Sequence, residues 1–166
     1  MYLVDSNVLI EAKNRYYAFD IAPGFWAWLD YAHSNFIACS IEHVRDELVQ
    51  GGDELADWAQ SHHDFFRPID AAAATHFTPL TTWASSRSYT AAAVTEFLTN
   101  TADFFLVAYA AAHGHTLVTH EQSRPDSKKR ILIPDACQAM GVDCANTFTM
   151  LRSARARLDF QFPTAA

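Results

Sequence analysis

Short apolar runs alternate along the chain with longer stretches in which apolar residues recur every three or four positions. This alternation predicts strands and helices in turn. The run Tyr2–Val4 is apolar and β-favouring and ends in Asp5. "NVLIEAKNR" follows as a helix, with Asn7 as its cap and Val8, Leu9 and Ala12 on one face. Pro23 opens a second helix, "PGFWAWLDYAHS", with an apolar stripe of Phe25, Trp28, Leu29 and Ala32. "FIACS" reads as a second strand, and "IEHVRDELVQGG" as a helix capped by Ser40 and stopped at Gly51. "DELADWAQSHH" is a further helix that packs Leu55 and Trp58, with His62 and His63 capping its end.

The segment 70–100 is Ala-rich and helical, with breaks expected near Pro79 and at "SSRSY". The clearest helix is "NTADFFLVAYAAAHG", capped by Asn100 or Thr101 and ended by Gly114. It is apolar nearly all round, so it is expected to be buried. "HTLVT" predicts a third strand, "RILI" a fourth and "VDCA" a fifth. "PDACQAMG" is a helix between the last two, and "TFTMLRSARARL" a closing basic one. Strands separated by helices imply βαβ units and a mostly parallel sheet, hence an α/β fold of one domain over residues 1–166. The central helices read as an insertion or arm.

Composition narrows the class. Half of the 166 residues are hydrophobic, with 12 Phe, 6 Tyr and 4 Trp, enough for a core that buries roughly 70% of the unfolded chain's surface. No apolar run reaches membrane-spanning length, there is no signal-like start, and three scattered cysteines form no Cys-x-x-Cys pair. A soluble, cytoplasmic protein with reduced thiols is expected. The net charge of −7, from 12 basic and 19 acidic residues, counts against nonspecific nucleic-acid binding through a broadly basic surface. It suits a cleft that gathers carboxylates around a cation.

In open α/β sheets, ligands bind beyond the carboxyl ends of the strands. Asp5 closes the first strand, and Glu121 follows the third within "VTHEQSRPDSKK". Glu47 lies in the helix after the second strand, and Asp103 in the first turn of the buried helix. Four segments thus deliver four carboxylates to one end of one sheet. Each has an ordinary alternative: a turn for Asp5, a helix dipole for Asp103, solvent for Glu47 and Glu121. Glu42 and Asp46 compete with Glu47, and Asp126 and Asp135 with Glu121. His113, His115 and His120 raise a zinc site, but no cysteine or carboxylate completes its spacing. The Trp and Phe stripes read as core rather than as platforms for bases.

"VDSNVLIEA", "HVRDELVQGG", "TADFFLVAYAAAHG" and "HTLVTHE" come in the order and setting of the PIN-domain nucleases. The chain resembles that superfamily, including the VapC-like toxin ribonucleases, over essentially its full length, and looks closest to a less characterised branch. The resemblance implies a PIN-like three-layer fold with a central, mostly parallel sheet of four to five strands. It implies that Asp5, Glu47, Asp103 and Glu121 form the catalytic acidic site, with Asp5, Asp103 and Glu121 as metal ligands. Ser6, Asn7 and Thr119 would support them. Glu121 is a departure, because the family usually has Asp there.

A cluster of carboxylates repels itself unless a cation neutralises it, and hard divalent cations prefer oxygen. The resemblance therefore implies Mg²⁺ or Mn²⁺ and an endoribonuclease that leaves a 5′-phosphate and a 3′-hydroxyl. Arg124, Lys128, Lys129 and Arg130 follow Glu121 and are candidates for the RNA phosphates. Arg152, Arg155 and Arg157 form a second basic path. The expected partners are an RNA substrate, a small antitoxin protein and a second copy in a homodimer. Two alternatives stand: a PIN-like binding module of little or no activity, and another metal-dependent α/β phosphohydrolase. A dehalogenase-type phosphatase would need Asp two residues after Asp5, where this chain has Asn7.

Overall fold

The structure, a computed structural model, describes residues 1–99 and 101–159. Its centre is a five-stranded sheet in which every pairing is parallel. The strands are β1 (Tyr2–Val4), β2 (Ala38–Ile41), β3 (Phe66–Arg67), β4 (Thr116–Val118) and β5 (Cys144–Ala145), in the order β3-β2-β1-β4-β5. Parallel neighbours need crossovers, and helices supply them. The arrangement is α/β, with the sheet flanked by helices, and is consistent with a PIN-like three-layer fold.

The helices follow the sequence closely. α1 (Ser6–Glu11) runs on into a wider helical turn at Ala12–Tyr16, and α2 spans Pro23–Ser34 with proline in its first turn. α3 (Glu42–Val49) and α4 (Glu54–Ser61) lead to β3. The Asp53 side chain caps α4 by accepting from the Leu55 and Ala56 amides at 3.0 and 3.2 Å. α5 (Ala71–Ala74), α6 (Phe77–Ser86) and α7 (Ala91–Thr99) precede α8 (Asp103–His113). α9 (Ile133–Met140) and α10 (Thr147–Ser153) close the described chain. α8 ends where Gly114 turns left-handed at φ 61°, a conformation that a side chain resists.

The core is continuous. Leu3, Val4, Leu29, Ile41, Leu106, Leu117, Ile133 and Met150 are fully buried. Three of the four tryptophans, Trp26, Trp28 and Trp58, are buried with Phe25, as the apolar stripes predict. α5 packs on α8 and α6 on α9, so the central helices lie against the body rather than standing off as an arm.

Several local expectations need correction. "RILI" is not a strand: Ile131 and Leu132 are buried in irregular chain, and Ile133 begins α9. A strand that the pattern did not mark, β3, takes its place at the sheet edge. Asn7 lies inside α1, whose flanking residue is Asp5, and Ser40 lies inside β2, where its hydroxyl donates to the Val4 carbonyl at 2.6 Å. The break in the Ala-rich stretch falls at Thr75–His76, while Pro79 sits in the first turn of α6, where an amide N–H is not needed. α8 is flanked by Ala102 rather than Thr101, and Asn100, the other expected cap, lies outside the described residues. The closing helix stops at Ser153, short of the expected basic extension. Among the described residues, no helix is long and apolar enough to cross a membrane.

Candidate active site

β1 lies at the middle of the sheet, with β2 on one side and β4 on the other. The chain builds outward to β3 and then returns across β1 to start β4. The strand order reverses between β1 and β4, and such a switch opens a crevice at the strands' carboxyl ends. The register pairs Val4 with Val118, and the Asp5 amide donates to the Val118 carbonyl at 3.0 Å. Asp5 and Thr119 therefore leave the sheet side by side.

The Asp5 carboxylate is fully buried and does not cap α1. Its Oδ2 accepts from the Thr119 hydroxyl at 2.9 Å and from the Asn7 amide at 3.5 Å, and its Oδ1 from the Ser6 hydroxyl at 3.4 Å. Burial raises its pKa to about 6; the Thr119 bond opposes the rise, and the charges of Glu121 and Glu47 add to it.

Asp103 begins α8 and is nine-tenths buried. Its carboxylate accepts no hydrogen bond from a described residue. Burial first, then the charges of Asp5, Glu121 and Glu47, push its pKa up to about 8, against a smaller opposing pull from Arg130. Glu47 reaches across from α3, where its Oε1 accepts from the Ala102 amide at 2.7 Å and so fixes the start of α8. Glu121 sits on the loop after β4. Its Oε1 pairs with the Arg130 guanidinium at 2.6 Å, and its Oε2 accepts from the Ile133 amide at 2.8 Å.

The four expected carboxylates thus share one electrostatic neighbourhood, and their rivals are engaged elsewhere. Glu42 accepts from the Ile69 amide, and exposed Asp46 pairs with Arg45. Asp135 holds the loop by accepting from the Ser123 hydroxyl and the Arg124 amide. Exposed Asp126 lines a different cleft with Arg87, Tyr89 and Lys128. The basic residues after Glu121 divide in the same way. Lys129 and Arg130 line a small cavity of about 30 Å³ with Asp103, whereas Lys128 lines the cleft that holds Asp126. Arg124 is exposed on the loop after β4.

Residues 2–158 match the model of a family described as a domain of unknown function, DUF4411. The chain belongs to that family. No curated protein and no solved structure matches it.

In this DUF4411 chain, no three His, Cys, Asp or Glu side chains among the described residues are grouped so as to hold a metal ion. The expected triple of Asp5, Asp103 and Glu121 is therefore not assembled as a finished ligand set. The donor chemistry fits a hard divalent cation all the same: oxygen donors only, two of the carboxylates buried, with neighbouring negative charges that add to the raised pKa of both aspartates. Thr101, whose hydroxyl is buried without a hydrogen-bond partner among the described residues, lines the cavity beside Asp103. The histidine triplet does not assemble: His113 pairs with Asp70 at 3.0 Å, whereas His120 is bonded to Glu11 and Thr147, each at 2.7 Å.

The sequence pattern did not mark several residues at this end of the sheet. Glu96 of α7 lines the cavity beside Asp103. A second cleft, of about 660 Å³, shares Thr119 and Glu121 and is lined further by Glu11, Tyr16, Asn146 and Phe148, together with His120, which the sequence raised only as a zinc candidate. These side chains come from distant segments, and no spacing along the chain groups them.

Proposed function

We propose that the chain is a divalent-metal-dependent endoribonuclease of the PIN type. The observation that carries this reading is the set of four carboxylates, from four segments, at the switch point of the sheet. Two of them are pushed to about 6 and 8 by burial and by their neighbours. Such an arrangement costs stability without a cation, and pKa values displaced in this way concentrate at functional sites.

Asp5 and Asp103 would hold Mg²⁺ or Mn²⁺, with Glu121 as third donor. The cation would supply a nucleophilic water near neutral pH and neutralise charge on the scissile phosphate. Each supporting residue has a physical task. Thr119, Ser6 and Asn7 orient Asp5 through its two oxygens. Glu47 positions Asp103 through the Ala102 amide. Arg130 holds Glu121 in place, and Lys129 stands on the Asp103 side to receive a phosphate. A small antitoxin that covers the acidic end of the sheet, and a homodimer, belong to the same reading.

Purified protein with Mn²⁺ is expected to cleave single-stranded RNA, and Asp5→Asn or Asp103→Asn to abolish cleavage. Cleavage that persists in both variants overturns the reading. The second reading is a PIN-like protein-binding module. It is favoured by Glu121, whose two oxygens are already committed to Arg130 and the Ile133 amide. Tight binding of a protein partner with neither RNA cleavage nor Mn²⁺ affinity selects it.

A further inference from the structure

We infer that the cleft lined by Tyr16 and Phe148 binds one unpaired nucleotide of the RNA strand, its base stacked on the open face of one of these rings; the inference rests on the ribonuclease reading of the adjoining carboxylates. The cleft measures about 660 Å³ and shares Thr119 and Glu121 with the acidic site. A strand with a phosphate near Asp5 and Asp103 can reach this opening with a neighbouring nucleotide, because Thr119 and Glu121 border both.

The two rings are presented outward. Tyr16 is 52% exposed and Phe148 45%; among the described residues most other aromatic side chains are at least partly buried, Tyr31 and Phe36 excepted. The reason is local. Tyr17 stacks on buried Phe25 at 4.4 Å, and its carbonyl accepts from the Trp26 indole at 2.7 Å. With Tyr17 turned inward at the end of the wide helical turn, Tyr16 is left at the surface.

The platform is also held still. Tyr16 meets Phe148 at 6.2 Å and 74°, and its ring meets His120 at 6.3 Å and 87°. Both nitrogens of His120 are engaged, by Glu11 and Thr147. Phe148 stands in the first turn of α10, which the Asn146 side chain caps by accepting from the Thr149 amide at 2.8 Å. Arg152 lies 5.8 Å from the Phe148 ring centre. Rings fixed before binding lose little freedom when a base stacks on them.

The charge in the cleft selects a base over a phosphate. Glu11 lines it and lies 3.8 Å from Arg15, so the charge of that lining arginine is offset by a carboxylate, and Glu121 lines the same cleft. The amides of exposed Gln122 and Asn146 line the same space and can meet the edge of a base. Recognition of unpaired RNA commonly combines such stacking with polar contacts to base edges.

The test uses the full chain carrying Asp103→Asn and a short single-stranded RNA with 2-aminopurine at successive positions. Quenching is expected at one position. Tyr16→Ala with Phe148→Ala is expected to remove that quenching and to weaken binding about ten- to hundred-fold. Tyr16→Phe, which keeps the ring, is expected to retain both. Unchanged affinity and quenching in the double alanine variant, while the chain with Asp103 intact still cleaves RNA, overturns the platform and leaves the ribonuclease standing. If the parent chain neither binds nor cleaves RNA with Mn²⁺, the ribonuclease reading falls and the subsite with it. Competition by a free mononucleotide as effective as by the strand overturns the strand as occupant.

Discussion

Asp103 is pulled in opposite directions by its position. The first turn of α8 favours negative charge, yet burial and three neighbouring carboxylates raise its pKa to about 8. The folded chain therefore keeps a proton that the unfolded chain releases near pH 4. Between those values the unfolded state binds fewer protons, so stability falls as pH rises from about 4 to about 8. Asp5, raised to about 6, adds to the lower part of the same slope. In a chelator, Asp103→Asn is expected to flatten this slope and to stabilise the chain at pH 8 by on the order of 2 kcal/mol. Urea denaturation across that range measures it, and a variant less stable than the parent at pH 8 would show that the carboxylate serves the fold. Glu121 and Asp126 separate just as sharply. Glu121→Gln is expected to lower Mn²⁺ affinity, because it changes a side chain coupled to both aspartates, and Asp126→Asn to leave it unchanged, as read by calorimetry. The aspartates were legible in the sequence because each closes or opens an element of clear pattern. The grouping of Glu11, Tyr16 and His120 was not, because only the packing of α1 and the wide turn after it against the loop after β4 and α10 brings them together.

The same contrast holds among the elements. Helices such as α2 and α8 were readable because their signals are local: proline at the start, glycine at the end, a broad apolar face between. The sheet edge was not. β3 is two residues long and owes its strand state to pairing with β2, a contact made at a distance along the chain. "RILI" misled for the complementary reason. Its apolar residues are needed to fill the core, but its backbone is spent on the entry to α9, where the Ile133 amide meets Glu121 and the Leu132 carbonyl accepts from Asp135 and Ala136. Gly114 tests the local signals directly. Its φ of 61° is strained for any other side chain, while the space around it is open. Gly114→Ala is expected to cost about 1 kcal/mol in urea denaturation through backbone strain alone, with RNA cleavage per folded molecule unchanged. A loss much larger than that would mean the turn also positions β4.

At the scale of the whole molecule, the ribonuclease reading asks an acidic protein to hold a polyanion. The net charge of −7 gives no general attraction for RNA, so binding depends on where the few cations stand. The structure separates them around the loop after β4. Lys129 and Arg130 line the cavity with Asp103, Lys128 lines the cleft with Asp126, and Arg130 is already paired with Glu121. Few phosphates can then be neutralised at once. Each neutralised phosphate of a single strand contributes about 0.7 to the slope of log K against log salt, so a total slope of about −1 to −2 is expected. Lys129→Ala is expected to reduce that slope by about one such step, and Lys128→Ala to leave it nearly unchanged. Titration of the Asp103→Asn chain with single-stranded RNA at several salt concentrations measures both. A steep slope, or equal losses from the two lysines, would mean that the strand runs along the Lys128 face and away from the switch point. The position of the cut would then have to be set by something other than the crevice between β1 and β4.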